Sequence, residues 1–206
     1  MEVFWLMHSC MHLIALVVGS FLASNLVSSL PSSILFPKWV TFWLALSSFL
    51  CLWDASFVML RPASFEMLLW TPYRDYIMVD KLYGNMEDES ILWSHSVMNL
   101  VEVGLNVYTL SLLYQKQIRV ASVMAVVVST MTSSRTVLYL VMEYACAFCN
   151  SAHNDALTLV LRYFLPSGMW IWVPAFVAFH LGGLLAEETS ESALCDGGGD
   201  VKKKNR

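Results

Sequence analysis

Residues 91–114 read ILWSHSVMNLVEVGLNVYTLSLLY, and this stretch decides the fold class. As a helix rising about 1.5 Å per residue it is long enough to cross a hydrocarbon core ~30 Å thick. It carries one formal charge, Glu102, near its middle. A carboxylate at that depth is costly unless it is paired, protonated or turned to a polar cavity, which makes it a functional candidate. His95, Asn99, Glu102 and Asn106 follow one another at helical spacing, confining them to an arc of roughly 60°. One face of a lipid-embedded helix is therefore a polar stripe with a carboxylate at its centre.

The rest of the chain agrees. Hydrophobic residues make up 57% and charged residues only 14% of the 206 residues, against roughly a quarter charged in soluble domains. Apolar stretches at about Phe4–Leu30, Trp39–Leu60, Ile91–Tyr114, Val120–Tyr144 and Leu161–Leu185 predict an all-α polytopic membrane protein, a five-transmembrane-helix bundle. The first exceeds a signal-peptide core, and no A-x-A-like cleavage site closes it, so it reads as a retained helix. The organisation expected is a first helix and turn over 1–38, a four-helix membrane domain over 39–186 and a flexible tail over 187–206 that contains Gly197-Gly198-Gly199. Residues 61–90 form the one sizeable polar loop, rich in aromatic residues suited to a membrane interface. The linker Gln115-Lys116-Gln117-Ile118-Arg119 is short enough to make its flanking helices antiparallel neighbours. The mild net charge of −4 argues against nucleic acid as a partner. No phosphate-binding loop or zinc-type cysteine pattern is present, so no metal or cofactor is expected.

Basic residues set the expected orientation. Lys38, Lys116, Arg119, Lys202, Lys203, Lys204 and Arg206 fall on one side, and Arg61, Arg74, Lys81 and Arg162 on the other. This asymmetry predicts a cytosolic C-terminus and a lumenal N-terminus. Lys203-Lys204-Asn205-Arg206 then reads as a dilysine retrieval signal of the endoplasmic reticulum, a solubilising basic tail being the plainer alternative. Cys146 and Cys149 would lie in a lumenal loop, where a disulfide is permitted. With His153 nearby they make neither a redox centre nor a convincing metal site.

Other polar groups interrupt the spans. Asp54 breaks the second, and Arg135 the fourth, with Tyr139 and Glu143 following at four-residue steps. The last carries Ser167 and Trp170. Counted from the proposed helix ends, Asp54, Glu102, Arg135 and Trp170 all lie about two to three turns deep on the lumenal side. A shared pocket explains this better than independent accidents. The structural alternative is a buried ion-pair network with Asn99, Asn106 and the serines as interhelical glue. Two carboxylates near one cation leave a surplus negative charge, which suits a shared proton or a cationic visitor. The indole face of Trp170 would stabilise such a positive charge. His95, nearer the interface, reads as a polar rim residue.

In order and spacing these residues resemble the emopamil-binding protein family, which shares the EXPERA membrane domain with sigma-2-receptor-type proteins. The resemblance covers roughly residues 47–185. It rests on Asp54-Ala55-Ser56-Phe57-Val58, Met98-Asn99-Leu100-Val101-Glu102, Val137-Leu138-Tyr139-Leu140-Val141-Met142-Glu143, and Tyr163, Trp170, Pro174 and His180 in the last span. It implies a five-helix bundle of the endoplasmic reticulum, often dimeric, whose cavity takes a lipophilic, sterol-like or terpenoid ligand. In the sterol isomerase branch an acid protonates a ring double bond and a base removes a proton elsewhere. Carried over, Glu102 and Asp54 match the acidic pair and Trp170 the cation-stabilising tryptophan. Arg135, Asn99, Asn106, Ser167, Tyr139, His95 and Glu143 are the expected substrate-binding set. Two positions depart from the isomerases: Leu50 stands where they carry histidine, and Ser167 where they carry asparagine. Arg135 replaces a small residue. The motif Trp53-Asp54, Arg61-Pro62, Pro72-Tyr73, Asp80 and Tyr83-Gly84 marks a divergent subgroup with its own lumenal cap. The expected function is an isomerase or cyclase working by acid/base chemistry on a lipophilic alkene, in sterol or related lipid metabolism. The alternative is a non-enzymatic sterol- or amine-binding or lipid-trafficking protein of the sigma-2-like branch.

Overall fold

The computed structural model describes residues 36–87 and 90–203, with side chains as far as residue 190. The expected first span, Phe4–Leu30, lies outside the described residues, as do positions 204–206. Helix α1 spans Lys38–Met59; two 3-10 turns, Ala63–Phe65 and Leu68–Trp70, lead to the short helices α2 (Thr71–Tyr76) and α3 (Lys81–Gly84). Helix α4 covers Ser90–Tyr114 and α5 Ile118–Ala145. A single turn, α6 (Ala156–Thr158), continues through a π-helical turn (Leu159–Phe164) into α7 (Leu165–Lys203). No strand occurs among the described residues. Four helical stretches, Lys38–Met59, Ser90–Tyr114, Ile118–Ala145 and Ala156–Ser190, are long and apolar enough to cross a membrane. The protein is thus an all-α membrane protein.

Three of these helices lie within one or two residues of the spans expected from hydropathy. The last departs more. It begins five residues earlier than expected, behind Asp155, whose carboxylate caps it by accepting from the backbone N–H of Leu157 and Thr158. At its other end it does not stop near residue 186. The segment expected as a flexible tail is helical through Lys203. Pro166 sits in the first turn of α7, where proline is tolerated, and past Pro174 in its interior Ala186-Glu187-Glu188 favour helix. Glu188 also meets Arg119 at the start of α5 at 3.7 Å.

α1 packs along α4, α5 packs along α7, and α4 against α5 joins the two pairs. Away from the loop 61–90 the centre of the bundle is mainly apolar, with a few small polar side chains such as Ser47, Thr109 and Ser122 buried among the rest. Val40, Trp43 and Leu44 of α1 meet Ala125 and Val128 of α5 and Val177 and Leu181 of α7. The small side chains of α5 let neighbouring helices approach, the usual device where lipid removes the hydrophobic gain of burial. The α4–α5 turn closes with Lys116 in the left-handed region (φ 61°) and Gln117 N–H bonded back to Leu112 O at 2.9 Å, a Schellman ending without its glycine.

The loop 61–90 is a folded cap. Tyr73 stacks on Phe57 at 4.0 Å between ring centres. Trp70 and Leu92 complete the cluster. Ser64 Oγ donates to Phe57 O at 2.7 Å. Trp53 and Trp70 exchange indole N–H bonds with each other's neighbourhood, to Leu69 O and Trp53 O respectively, both at 3.3 Å. The cap is fastened to the α5–α6 loop as well: Lys81 N–H donates to Asn150 O at 3.1 Å, and Asn154 Nδ2 to Val79 O at 2.8 Å. His153 Nε2 lies 2.6 Å from Met78 O.

Candidate functional site

Beneath the cap, between α1, α4, α5 and α7, lies a cavity of about 380 Å³, within the ~300–1,000 Å³ typical of small-molecule sites. α1 contributes Leu50, Cys51, Trp53 and Asp54; α4 contributes His95 and Asn99; α5 contributes Arg135, Thr136 and Tyr139. Pro72, Tyr73, Tyr76 and Tyr83 form the roof, and Pro166, Ser167 and Trp170 the α7 wall.

Of the residues expected at the site, seven line this cavity: Asp54, His95, Asn99, Arg135, Tyr139, Ser167 and Trp170. Asp54 is its organising acid. Its Oδ1 accepts from Tyr73 at 2.7 Å and Tyr83 at 3.0 Å, and its Oδ2 from Asn99 Nδ2 at 2.7 Å. Burial, with Asp54 beside them, pushes the Tyr73 and Tyr83 hydroxyls far above the usual phenol range, so both act as donors. Asn99 also accepts from Arg135 Nη1, which reaches the backbone carbonyl of His95 at 3.3 Å. Trp170 is braced by Trp43, ring centres 5.4 Å apart. Ser167 Oγ is turned back to Tyr163 O at 2.7 Å.

The remaining three lie elsewhere. Glu102 does not line the cavity. Its Oε2 receives Arg135 Nη2 at 2.9 Å, with side-chain exposures of only 2% and 11%. The polar stripe of α4 is real, but at its centre stands an ion pair behind the wall rather than a group facing a ligand. Asn106 is deeper still, donating to Ser47 Oγ at 3.1 Å. Glu143 is a loop anchor. It accepts from Asn150 N and Nδ2 at 3.0 and 2.9 Å and from Ser151 Oγ at 2.7 Å. These bonds hold a tight turn in which Ala147 and Phe148 both adopt left-handed φ, 56° and 58°, closed by a Cys146–Cys149 disulfide. With those thiols oxidised, the grouping of Glu143, Cys146 and Cys149 has lost its thiolate ligands for a metal.

Several site residues were not foreseen as such. Tyr73 and Tyr83 stand out in sequence as interfacial aromatics and as part of the cap motif, not as partners of Asp54. Asp80 is fully buried, accepts from Leu82 N–H at 3.1 Å as the cap of α3, and accepts from the Tyr139 hydroxyl. Burial pushes its carboxyl up to about 6 from 3.8, against the opposing pull of those two hydrogen bonds. The spacing Asp80, Leu82, Tyr83 carried a usable signal, since an aspartate two residues before an apolar helical start is a capping pattern. Among known proteins, the chain matches no family model, and no curated protein matches it.

Proposed function

We propose that this chain is an isomerase of a lipophilic alkene, working by acid/base chemistry in an intramembrane cavity built on the emopamil-binding scaffold. The observation that carries the reading is Asp54: a carboxyl group on the wall of an apolar cavity, ringed by Trp53, Tyr73, Tyr83 and Trp170. Protonating an alkene creates a carbocation. Aromatic faces and a carboxylate are the surroundings that lower its energy. Asp54 Oδ1 takes two donors and Oδ2 only one, so Oδ2 is the oxygen with room to carry the transferred proton. Arg135 is already neutralised by Glu102, which makes Glu102 a positioning residue that fixes Arg135 and, through it, Asn99.

The basic-residue asymmetry supports a cytosolic placement of the segment after α7, within a membrane such as that of the endoplasmic reticulum. The disulfide beside the cap fits an oxidising lumen on that side. The test is an untargeted lipid comparison of deletion cells carrying wild type or Asp54→Asn. An isomer pair whose balance shifts with Asp54 names the substrate; identical lipid profiles sink the reading.

A second reading is favoured by the same walls: with Asp54 ionised, an aromatic cavity of this kind also fits a lipophilic ammonium, as in an amine- or sterol-binding protein. Tight binding of N,N-dimethyldodecylamine that is lost in Asp54→Asn, with no lipid change on deletion, would establish it instead.

A further inference from the structure

We infer that His95 is the proton acceptor of this site, the partner that Asp54 needs to shift a double bond. The inference rests on the isomerase reading above and gives its second catalytic role to a residue that sequence alone places at the rim. A double-bond shift adds a proton at one carbon and removes one from a neighbouring position, so two groups must face the same cavity. Glu102, the other acid in the helices, is behind the wall and held by Arg135. His95 lines the cavity, as Asp54 does.

Its placement is built rather than incidental. His95 lies one helical turn from Asn99, or about 6 Å along the axis, and Asn99 Nδ2 holds Asp54 Oδ2 at 2.7 Å. Arg135 grips the backbone carbonyl of His95 at 3.3 Å. Tyr139 braces the ring edge-on, centres 5.1 Å apart, and Tyr139 is itself fixed by Asp80. Yet among the described residues neither ring nitrogen has a hydrogen-bond partner. A half-buried imidazole fixed in place with both nitrogens unused leaves a group for a ligand to meet.

The charged and titratable groups that share the cavity with it are Arg135 and Tyr139 of α5, Cys51 and Asp54 of α1, and Tyr73, Tyr76 and Tyr83 of the cap. With Glu102 and Arg135 paired, a neutral imidazole and a protonated Asp54 leave the cavity without net charge, the arrangement that costs least in apolar surroundings. The step then balances. The Asp54 Oδ2–H bond breaks as a C–H bond forms on the alkene, leaving a carbocation between the carboxylate and the aromatic walls. A His95 ring nitrogen takes a proton from the neighbouring carbon, and that C–H electron pair becomes the new double bond. The imidazolium returns its proton to Asp54, and no oxidant or reductant is consumed.

The experiment uses the full chain in cell membranes, with the lipid extract of Asp54→Asn cells as substrate source and N,N-dimethyldodecylamine binding as a check on the folded cavity. His95→Ala should bind the amine within about threefold of wild type and lose isomer formation by roughly 10²–10⁴-fold. Added imidazole should restore part of that activity, which a merely structural histidine would not allow. His95→Ala or His95→Gln turning over within a few-fold of wild type overturns the assignment while leaving the isomerase reading intact. So does loss of amine binding in both variants, which would make His95 a packing residue. Should wild type itself form no isomer, the isomerase reading falls, and this inference with it.

Discussion

The two ends of this bundle are built on opposite terms. Around Val40, Leu44, Ala125, Val128, Val177 and Leu181 the helices meet mainly through apolar side chains. Under the cap they meet through a connected polar set: Tyr73 and Tyr83 to Asp54, Asp54 to Asn99, Asn99 to Arg135, Arg135 to Glu102. In lipid the apolar end gains mainly from close packing, whereas the polar end is held by bonds whose loss strands a charge. One end can tolerate change by degrees. The other fails all at once.

Arg135→Met breaks this contrast hardest. It leaves Glu102 buried without a counter-charge and should cost about 3–5 kcal/mol, read as a fall in melting temperature in nanodiscs. Adding Glu102→Gln should recover a large part of the loss. Equal melting temperatures for single and double variants would show that an unpaired Glu102 is not what destabilises the single variant.

Next comes pH. The Asp80 carboxyl is held at about 6 in the fold against 3.8 normally, so the folded state retains a proton that the unfolded chain has released. Stability from this group is complete below about pH 4 and declines as pH rises through about 6, by a total of about 3 kcal/mol. Asp80→Asn should flatten melting temperature between pH 4 and 7, and an unchanged slope would place its origin elsewhere.

Leu181→Ala, at the apolar end, should cost about 2 kcal/mol, the cavity part of the usual penalty, without altering amine binding. A change in binding would mean that the two ends are coupled. Lys116→Gly is the smallest effect. Relief of the left-handed φ is largely offset by the freedom glycine adds to the unfolded chain, so a gain of under about 1 kcal/mol is expected from denaturation in detergent.

The contrast also explains what sequence could reveal. Spans follow from apolar length, a property of each segment by itself, so α1, α4 and α5 were legible to within a residue or two. Asp54, Arg135 and Trp170 were legible as neighbours because helix rise converts position into depth. Which carboxylate faces the cavity was not. That depends on rotation about the helix axis and on Tyr73 and Tyr83, which reach Asp54 from 19 and 29 residues away. Glu143 followed the four-residue spacing of Arg135 and Tyr139, yet its position at the end of α5 gives it to the loop. The continuation of α7 past residue 186 was hidden by glycines that suggest a linker.

The fastening of the cap to the α5–α6 loop has a consequence for synthesis. The roof, residues 61–87, leaves the ribosome well before Asn150, His153 and Asn154, to which Lys81, Met78 and Val79 are tied. Until α5 and its loop arrive, Asp80 lacks Tyr139 and Arg135 has not reached Glu102. The nascent α1–α4 pair must therefore carry uncompensated carboxyl groups through the time needed to make some fifty further residues, at ~5–20 per second. That interval is when this chain has most need of a chaperone within the membrane.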